Sequence, residues 1–334
     1  MNKFHKIAIG FLLLLSAELV HSQDMHFTQF YAAPLYLNPA FTGANVCSRV
    51  ALTYRNQWPG ISTAYKTYLL SADHYLDKYH LGIGLLLGND EAGSGQLRTT
   101  VIDPSIAYEL RVSKMISLRF GVQPGIGIRS INYNKLVFGD QIARGGNVAT
   151  IEDPTSSKTY FDFNTGTLIY SDNWWAGFSI FHLNRPNESM LGAESRLPIK
   201  FTMQSGYKYS LSGKDEKDET QQKSVSAAVH LMGQKQFDQM DIGAYYSQYR
   251  YSLGVWYRGI PLVKGYRPGY RNNDAISFVL GFKTKRAYIG YSYDITISQL
   301  AKASNGAHEV SLSYQLCKPK KRKAYRKQLA CPKF

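Results

Sequence analysis

The sequence predicts an all-β fold: a transmembrane antiparallel β-barrel of about fourteen strands, with an N-terminal docked segment and a basic C-terminal tail. Three observations predict it. The 334 residues include 25 Tyr, 28 Gly and 16 Phe, yet mean hydropathy is only −0.29. An aromatic-rich but polar chain suits a wall that meets lipid outside and water inside. Segment after segment alternates apolar and polar residues with a period of two, and the connections between segments alternate between long and short.

The first element is a targeting segment, residues 1–22. Lys3 and Lys6 form a basic start, Ile7 to Leu15 a short apolar run, and Val20 and Ser22 occupy the −3 and −1 positions of a small-residue cleavage site. The predicted mature start is Gln23. The apolar run is shorter than the roughly 18–20 residues of a spanning helix, and no later stretch approaches that length.

The second element, residues 23–47, centres on QFYAAPLYLNPAFTG (29–43). It is too apolar for a free tail and too broken by Pro34 and Pro39 for a helix. It is expected to pack inside or beneath the barrel as a plug carried by Phe27, Phe30, Tyr31, Pro34, Leu35, Asn38, Pro39 and Phe41. A strand cap without a functional role is the alternative.

The third element, residues 48–316, is the barrel. Val310, Leu312, Tyr314 and Leu316 alternate with Glu309, Ser311, Ser313 and Gln315. Ala287, Ile289, Tyr291, Tyr293 and Ile295 repeat the rule, as do Ile276, Phe278, Leu280 and Phe282. Ile116, Leu118, Phe120 and Val122 oppose Ser117, Arg119, Gly121 and Gln123. With both termini in the periplasm, the long connections near 89–96, 132–159, 183–198, 260–273 and 298–307 face outward, and the short ones near Asp77, Ser113, Asp172 and Thr284 face inward. The charged stretch 213–220 falls on the short side. Either it is a periplasmic loop or the strand count slips by one there. The outward connection holding Arg258, Lys264, Tyr266, Arg267, Tyr270 and Arg271 has a composition suited to an interface.

The last element, 317–334, holds eight Lys or Arg and no acid, so it carries +8 of the chain's formal +15. The basic balance is therefore local and does not point to nucleic acid. Lys320, Lys321, Arg322, Lys323, Arg326, Lys327 and Phe334 read either as a solvated run or as a periplasmic docking site. Cys317 and Cys331 bracket the tail, and an oxidising compartment permits them to pair, leaving Cys47 odd.

Chemistry is sparse. His26, His74, His80, His182, His230 and His308 lie in no metal motif, and no CxxC occurs, so neither a metal nor a cofactor is expected. Gly82, Gly84, Gly88, Gly125 and Gly127 read as lumen-facing or twist-relieving. Asp73 and His74 are adjacent on a strand and point to opposite faces. His182 with Asn184 and Asn187 has no indicated nucleophile, so no catalytic residue is assigned.

MHFTQF (25–30) with the segment 29–43 resembles the N-terminal signature of the PorP/SprF family of type IX secretion membrane proteins. RVALTYRNQWPGI (49–61), GLLLGNDEAGSGQLRTT (84–100), KLVFGDQI (135–142), HLNRPNES (182–189), LPIKFT (197–202), GYSYDITISQL (290–300) and NGAHEVSL (305–312) are similar to its later motifs. The terminal Cys317…Cys331-Pro332-Lys333-Phe334 pattern fits as well. Asp24-Met25-His26 departs from the Asp-Pro-His usual near its start.

The resemblance implies a non-enzymatic outer-membrane barrel of Bacteroidota-type cells serving secretion, gliding motility and surface anchoring. It implies a cargo with a type B C-terminal secretion domain, with the outward connection of Arg258, Lys264, Tyr266, Arg267, Tyr270 and Arg271 as the candidate cargo-facing loop, and periplasmic, peptidoglycan-linked partners. A passive channel or hydrophobic-solute transporter is the alternative that the residues leave open.

Overall fold

The computed structural model describes residues 24–316, apart from 46, 62–63, 94–95, 134–135, 147, 149–156, 191–193, 213–221, 236, 261–264, 268–269 and 299–300. The predicted targeting segment, the basic tail from Lys320 to Phe334, and Cys317 and Cys331 lie outside the described residues.

The strands are β1 (Arg49–Gln57), β2 (Tyr65–Leu76), β3 (Leu81–Ala92), β4 (Leu97–Arg111), β5 (Ser117–Ser130), β6 (Ser157–Tyr170), β7 (Trp174–Phe181), β8 (Lys200–Ser210), β9 (Lys223–Gln234), β10 (Phe237–Gln248), β11 (Tyr251–Gly259), β12 (Gly265–Arg267), β13 (Tyr270–Arg271), β14 (Asn273–Lys283), β15 (Ala287–Thr296) and β16 (Ala307–Gln315). β12 and β13 form a separate two-stranded hairpin. The other fourteen form one closed barrel in sequence order, with β16 paired to β1 from Arg49↔Gln315 to Gln57↔Ala307. Closure leaves no open edge, and it satisfies the ladder without water, as a bilayer requires.

Burial is inverted relative to a water-soluble protein. Leu52, Leu70, Ile106, Phe120, Leu253, Leu280 and Val310 are exposed on the outside, while Arg55, Arg119, Gln123, Asp294 and Glu309 are buried inside. The period-two sequence pattern thus maps onto a lipid-facing wall and a polar lumen.

The strand order sorts the connections. The longer segments 131–156, 182–199, 260–272 and 297–306 share one end, termed outer, with three shorter ones. The turns at 77–80, 112–116, 171–173, 249–250 and 284–286 share the inner end with the start of β1 and the end of β16. The connection 211–222 lies at the inner end too, so the strand count does not slip there.

Candidate functional site

The segment 24–45 runs through the lumen. Asp24 meets Lys200 and His182 near the outer end, and Gly43 meets Asp73 and Gly82 near the inner end. Its local shape follows from its prolines. Pro34 opens a single helical turn, Pro34–Leu37, and Pro39 opens a 3-10 turn, Pro39–Phe41. Proline's fixed φ and missing N–H suit a first helical position. Between the turns, Asn38 is extended; its Oδ1 accepts from the Ala40 N–H at 2.8 Å, and its Nδ2 donates to the carbonyls of Thr167 (2.9 Å) and Phe178 (3.2 Å).

The wall is carved to admit this backbone. Gly121 and Gly166 are register partners on β5 and β6. A Cβ on Gly121 would stand 2.3 Å from the Ala40 nitrogen and the Pro39 carbonyl carbon; one on Gly166 would stand 2.0 Å from Asn38 Oδ1. The two glycines make a notch into which the second turn sits. Arg119 closes it: Nε donates to the Ala40 carbonyl at 2.9 Å, Nη2 to the Thr42 carbonyl, and Nη1 to Glu109 at 2.8 Å. Ser179 Oγ donates to the Leu37 carbonyl at 3.1 Å.

Higher in the lumen an ion network is centred on Thr28. Arg55 Nη1 donates to Thr28 Oγ1 (2.6 Å) and Glu309 (3.1 Å), and its Nη2 donates to Asp294 (2.8 Å). Arg258 donates to Asp241 (2.9 Å), Asp294 (3.2 Å) and Thr28 Oγ1 (3.1 Å). Glu309 accepts the N–H groups of Thr28 (2.7 Å) and Gln29 (2.8 Å). Charges buried this deeply persist only when paired and hydrogen-bonded. Beside the network, Phe30 stands edge-on to Trp256 (4.9 Å between centroids), Tyr31 to Tyr245 (5.1 Å) and Phe41 to Trp175 (5.8 Å).

The sequence-predicted residues fall as follows. Phe27, Phe30, Tyr31, Pro34, Leu35, Asn38, Pro39 and Phe41 are buried against the wall from within. Arg258 is corrected. It does not belong to an exposed cargo-facing loop, because it is in phase with inward Trp256 and is held by Asp241 and Asp294. Tyr266 and Arg267 lie on β12 and Tyr270 and Arg271 on β13, whereas Lys264 is outside the described residues. Cys47 is corrected as well: it is disulfide-bonded, not left over. With three cysteines in the chain, that bond and a Cys317–Cys331 bridge exclude each other. Asp73 and His74 do face opposite sides, Asp73 holding Arg49 (2.8 Å) and His74 meeting Ser48 (2.8 Å).

A cavity opens at the outer end, walled by the plug and by β3 to β8. Lys200 Nζ stands 2.5 Å from Asp24. His182 is gripped between Asp162 Oδ2 on Nδ1 and Asp24 Oδ2 on Nε2, both at 2.8 Å. Arg129 pairs with Glu188. His182 lies in the connection after β7; burial alone lowers its pKa, but Asp24 and Asp162 overcome this and raise it to about 9. Burial likewise raises the Asp24 carboxyl, and Lys200 and His182 reverse that, holding it far below the usual carboxylate range. Sequence reasoning did not assemble this cavity. The alternation places Asp103 and Asp162 on the polar face, but not what converges on them.

Similarities to solved structures are architectural. The toluene transporter TodX of Pseudomonas putida aligns at 12% identity with TM-score 0.46, over 90% of this chain and 96% of that one. The CymD monoaromatic hydrocarbon channel aligns at 10% and 0.42, over 86% and 94%. Omp33 of Acinetobacter baumannii aligns at 6% and 0.44, over 81% and 99%. No curated protein matches the chain. The family model for the type IX secretion system membrane protein PorP/SprF matches residues 19–314, nearly the whole chain. With the family's span covering both the plug and the closed barrel, the chain belongs to the PorP/SprF family of type IX secretion system membrane proteins.

Proposed function

We propose that this chain is a non-enzymatic outer-membrane component of the type IX secretion and gliding machinery. In this reading it binds a cognate cargo bearing a type B C-terminal secretion domain, and retains or exports it. It also couples to peptidoglycan-linked periplasmic components, with the basic tail as the docking element. Family membership supports the secretion role.

The observation that carries the adaptor role is the filled lumen. A barrel occupied by its own N-terminal segment, pinned by Arg119 at one level and by Arg55 and Arg258 at another, presents its two ends to partners and not a bore to solutes. The outer end offers the cavity and the connection carrying β12 and β13.

The test is a gene deletion, with culture medium and cell surface compared by mass spectrometry. One strain is complemented with the full chain and another with a chain lacking residues 318–334. Loss of one or a few proteins with a C-terminal secretion domain, restored by the full chain and not by the truncated one, is expected. A normal secreted set with altered uptake of a small solute would move the assignment to a passive channel or hydrophobic-solute transporter.

A further inference from the structure

The outer cavity is lined by more acidic than basic side chains. Its walls carry the carboxylates Asp24, Asp90, Asp103, Asp162 and Glu188 against Arg129, Lys200 and His182. Each cation is already engaged: Arg129 by Glu188, Lys200 by Asp24, and His182 by Asp24 and Asp162. Asp90 accepts from Thr67 Oγ1 at 2.5 Å.

Two acceptors are left. Asp103, only 8% exposed, accepts no hydrogen bond from the described residues. Asp162 is 7% exposed, and its Oδ1 is buried without a partner, Oδ2 alone receiving His182. A buried carboxylate oxygen without a donor is strongly unfavourable, so such a group in a cleft points to a ligand.

The wall places these two carboxylates in one row. Between the pairs Ile102↔Ile126 and Ile106↔Val122, the register sets Asp103 opposite Gly125, and Gly125 pairs in turn with Asp162. The two aspartates therefore stand about 10 Å apart at Cα, two strand spacings, with a glycine between them. A Cβ on Gly125 would lie 2.0 Å from Asp103 Oδ1, so that carboxylate leans over the glycine towards Asp162. A cation above Gly125 would stand between the two carboxylates.

The chemistry of that cation is written in the neighbouring half of the cavity. There the Lys200 ammonium is held by Asp24 and stands over the rings of Tyr36 (4.9 Å to the centroid) and Phe181 (4.4 Å). A carboxylate below and aromatic faces beside it is how an alkylammonium is bound. The Asp103–Asp162 half supplies two carboxylates and the Tyr160 ring, with Val101 as apolar wall. No group of three or more side chains able to hold a metal ion occurs among the described residues.

We infer that the row Asp103–Gly125–Asp162 is a binding site for an alkylammonium group, presented either as a lysine side chain of a protein seated on the outer end or as a small free amine. The inference stands on the cavity alone and does not depend on the secretion role.

The test uses the full-length protein in detergent micelles and isothermal titration with three probes: Nα-acetyl-lysine amide, putrescine, and Nα-acetyl-norleucine amide, which keeps the chain and loses the ammonium. The first two are expected to bind and the third is not. Asp103→Asn and Asp162→Asn should each weaken binding at least tenfold, whereas Glu91→Gln, outside the cavity lining, should not change it. Gly125→Ala retains both charges but displaces the Asp103 carboxylate, and it should weaken binding as well. Tighter binding of lysine amide identifies a protein side chain as the source; tighter binding of putrescine identifies a free amine. No binding of either amine, equal binding of the norleucine probe, or unchanged binding by both Asn variants would overturn the inference.

Discussion

Gly121 shows how a single absent methyl fixes the position of the plug. Any side chain there enters space held by the backbone of Pro39 and Ala40, which Arg119 and Asn38 prevent from moving. Gly121→Val should destabilise the protein by about 1–3 kcal/mol, the range for overpacking a filled interior. Thermal unfolding followed by circular dichroism checks this, with Gly139→Ala, which has open space around it, expected to match the wild type. His182 gives the pH counterpart. Its pKa is raised from 6.5 to about 9, so the folded state binds the proton more tightly than the unfolded chain. The stabilisation is therefore complete below about pH 6.5 and is lost as pH rises through about 9. Unfolding midpoints should fall across that window, and His182→Gln should flatten the dependence. Part of this was legible in the residues. Arg119, Asp294 and Glu309 all sit on the polar face of their strands, so their inward direction can be read. Their convergence cannot, because Thr28 and Glu309 are 281 positions apart. Arg258 departs from the expectation for a simpler reason: it stands one residue before the end of a strand, and the alternation through inward Trp256 extends two residues further than the composition suggests.

Among the elements, the strands were the most legible, because each one carries its own signal. Leu280 and Phe278 face out and Val279 and Ser277 face in, regardless of what lies across the lumen. The plug carries no such period. Two of its three short turns are visible as Pro34 and Pro39, but the glycine notch that receives the Pro39 turn belongs to β5 and β6. Where the β1–β16 seam ends is likewise a matter of register. The Leu316 N–H donates to the Ser48 carbonyl at 3.0 Å, which continues the β1–β16 pairing by one step beyond Arg49↔Gln315. Peptide mapping without reduction should find Cys47 in a disulfide-linked peptide; a Cys47 thiol free to alkylate would refute that bond.

At the scale of the whole molecule, a fourteen-stranded wall encloses a column of its own chain. Reconstituted in a planar bilayer, the protein should pass no steady ohmic current in molar potassium chloride, while Gly121→Val, which disturbs the column, should give intermittent openings. A large steady conductance from the unmodified chain would mean that ions bypass the column. The wall and its closure follow from composition and periodicity. The occupation of the lumen follows from neither alone, since it requires apolar turns from one end of the sequence to meet aromatic and glycine positions scattered over the rest.

Arg55 and Glu309 are direct partners across β1 and β16, the first and last strands of the wall, and Thr28 and Gln29 hang from that same pair. The seam of the cylinder and the segment inside it therefore share one set of polar contacts. A hollow cylinder would leave Arg55 and Glu309 facing each other across the seam without the hydroxyl and the two N–H groups that complete them.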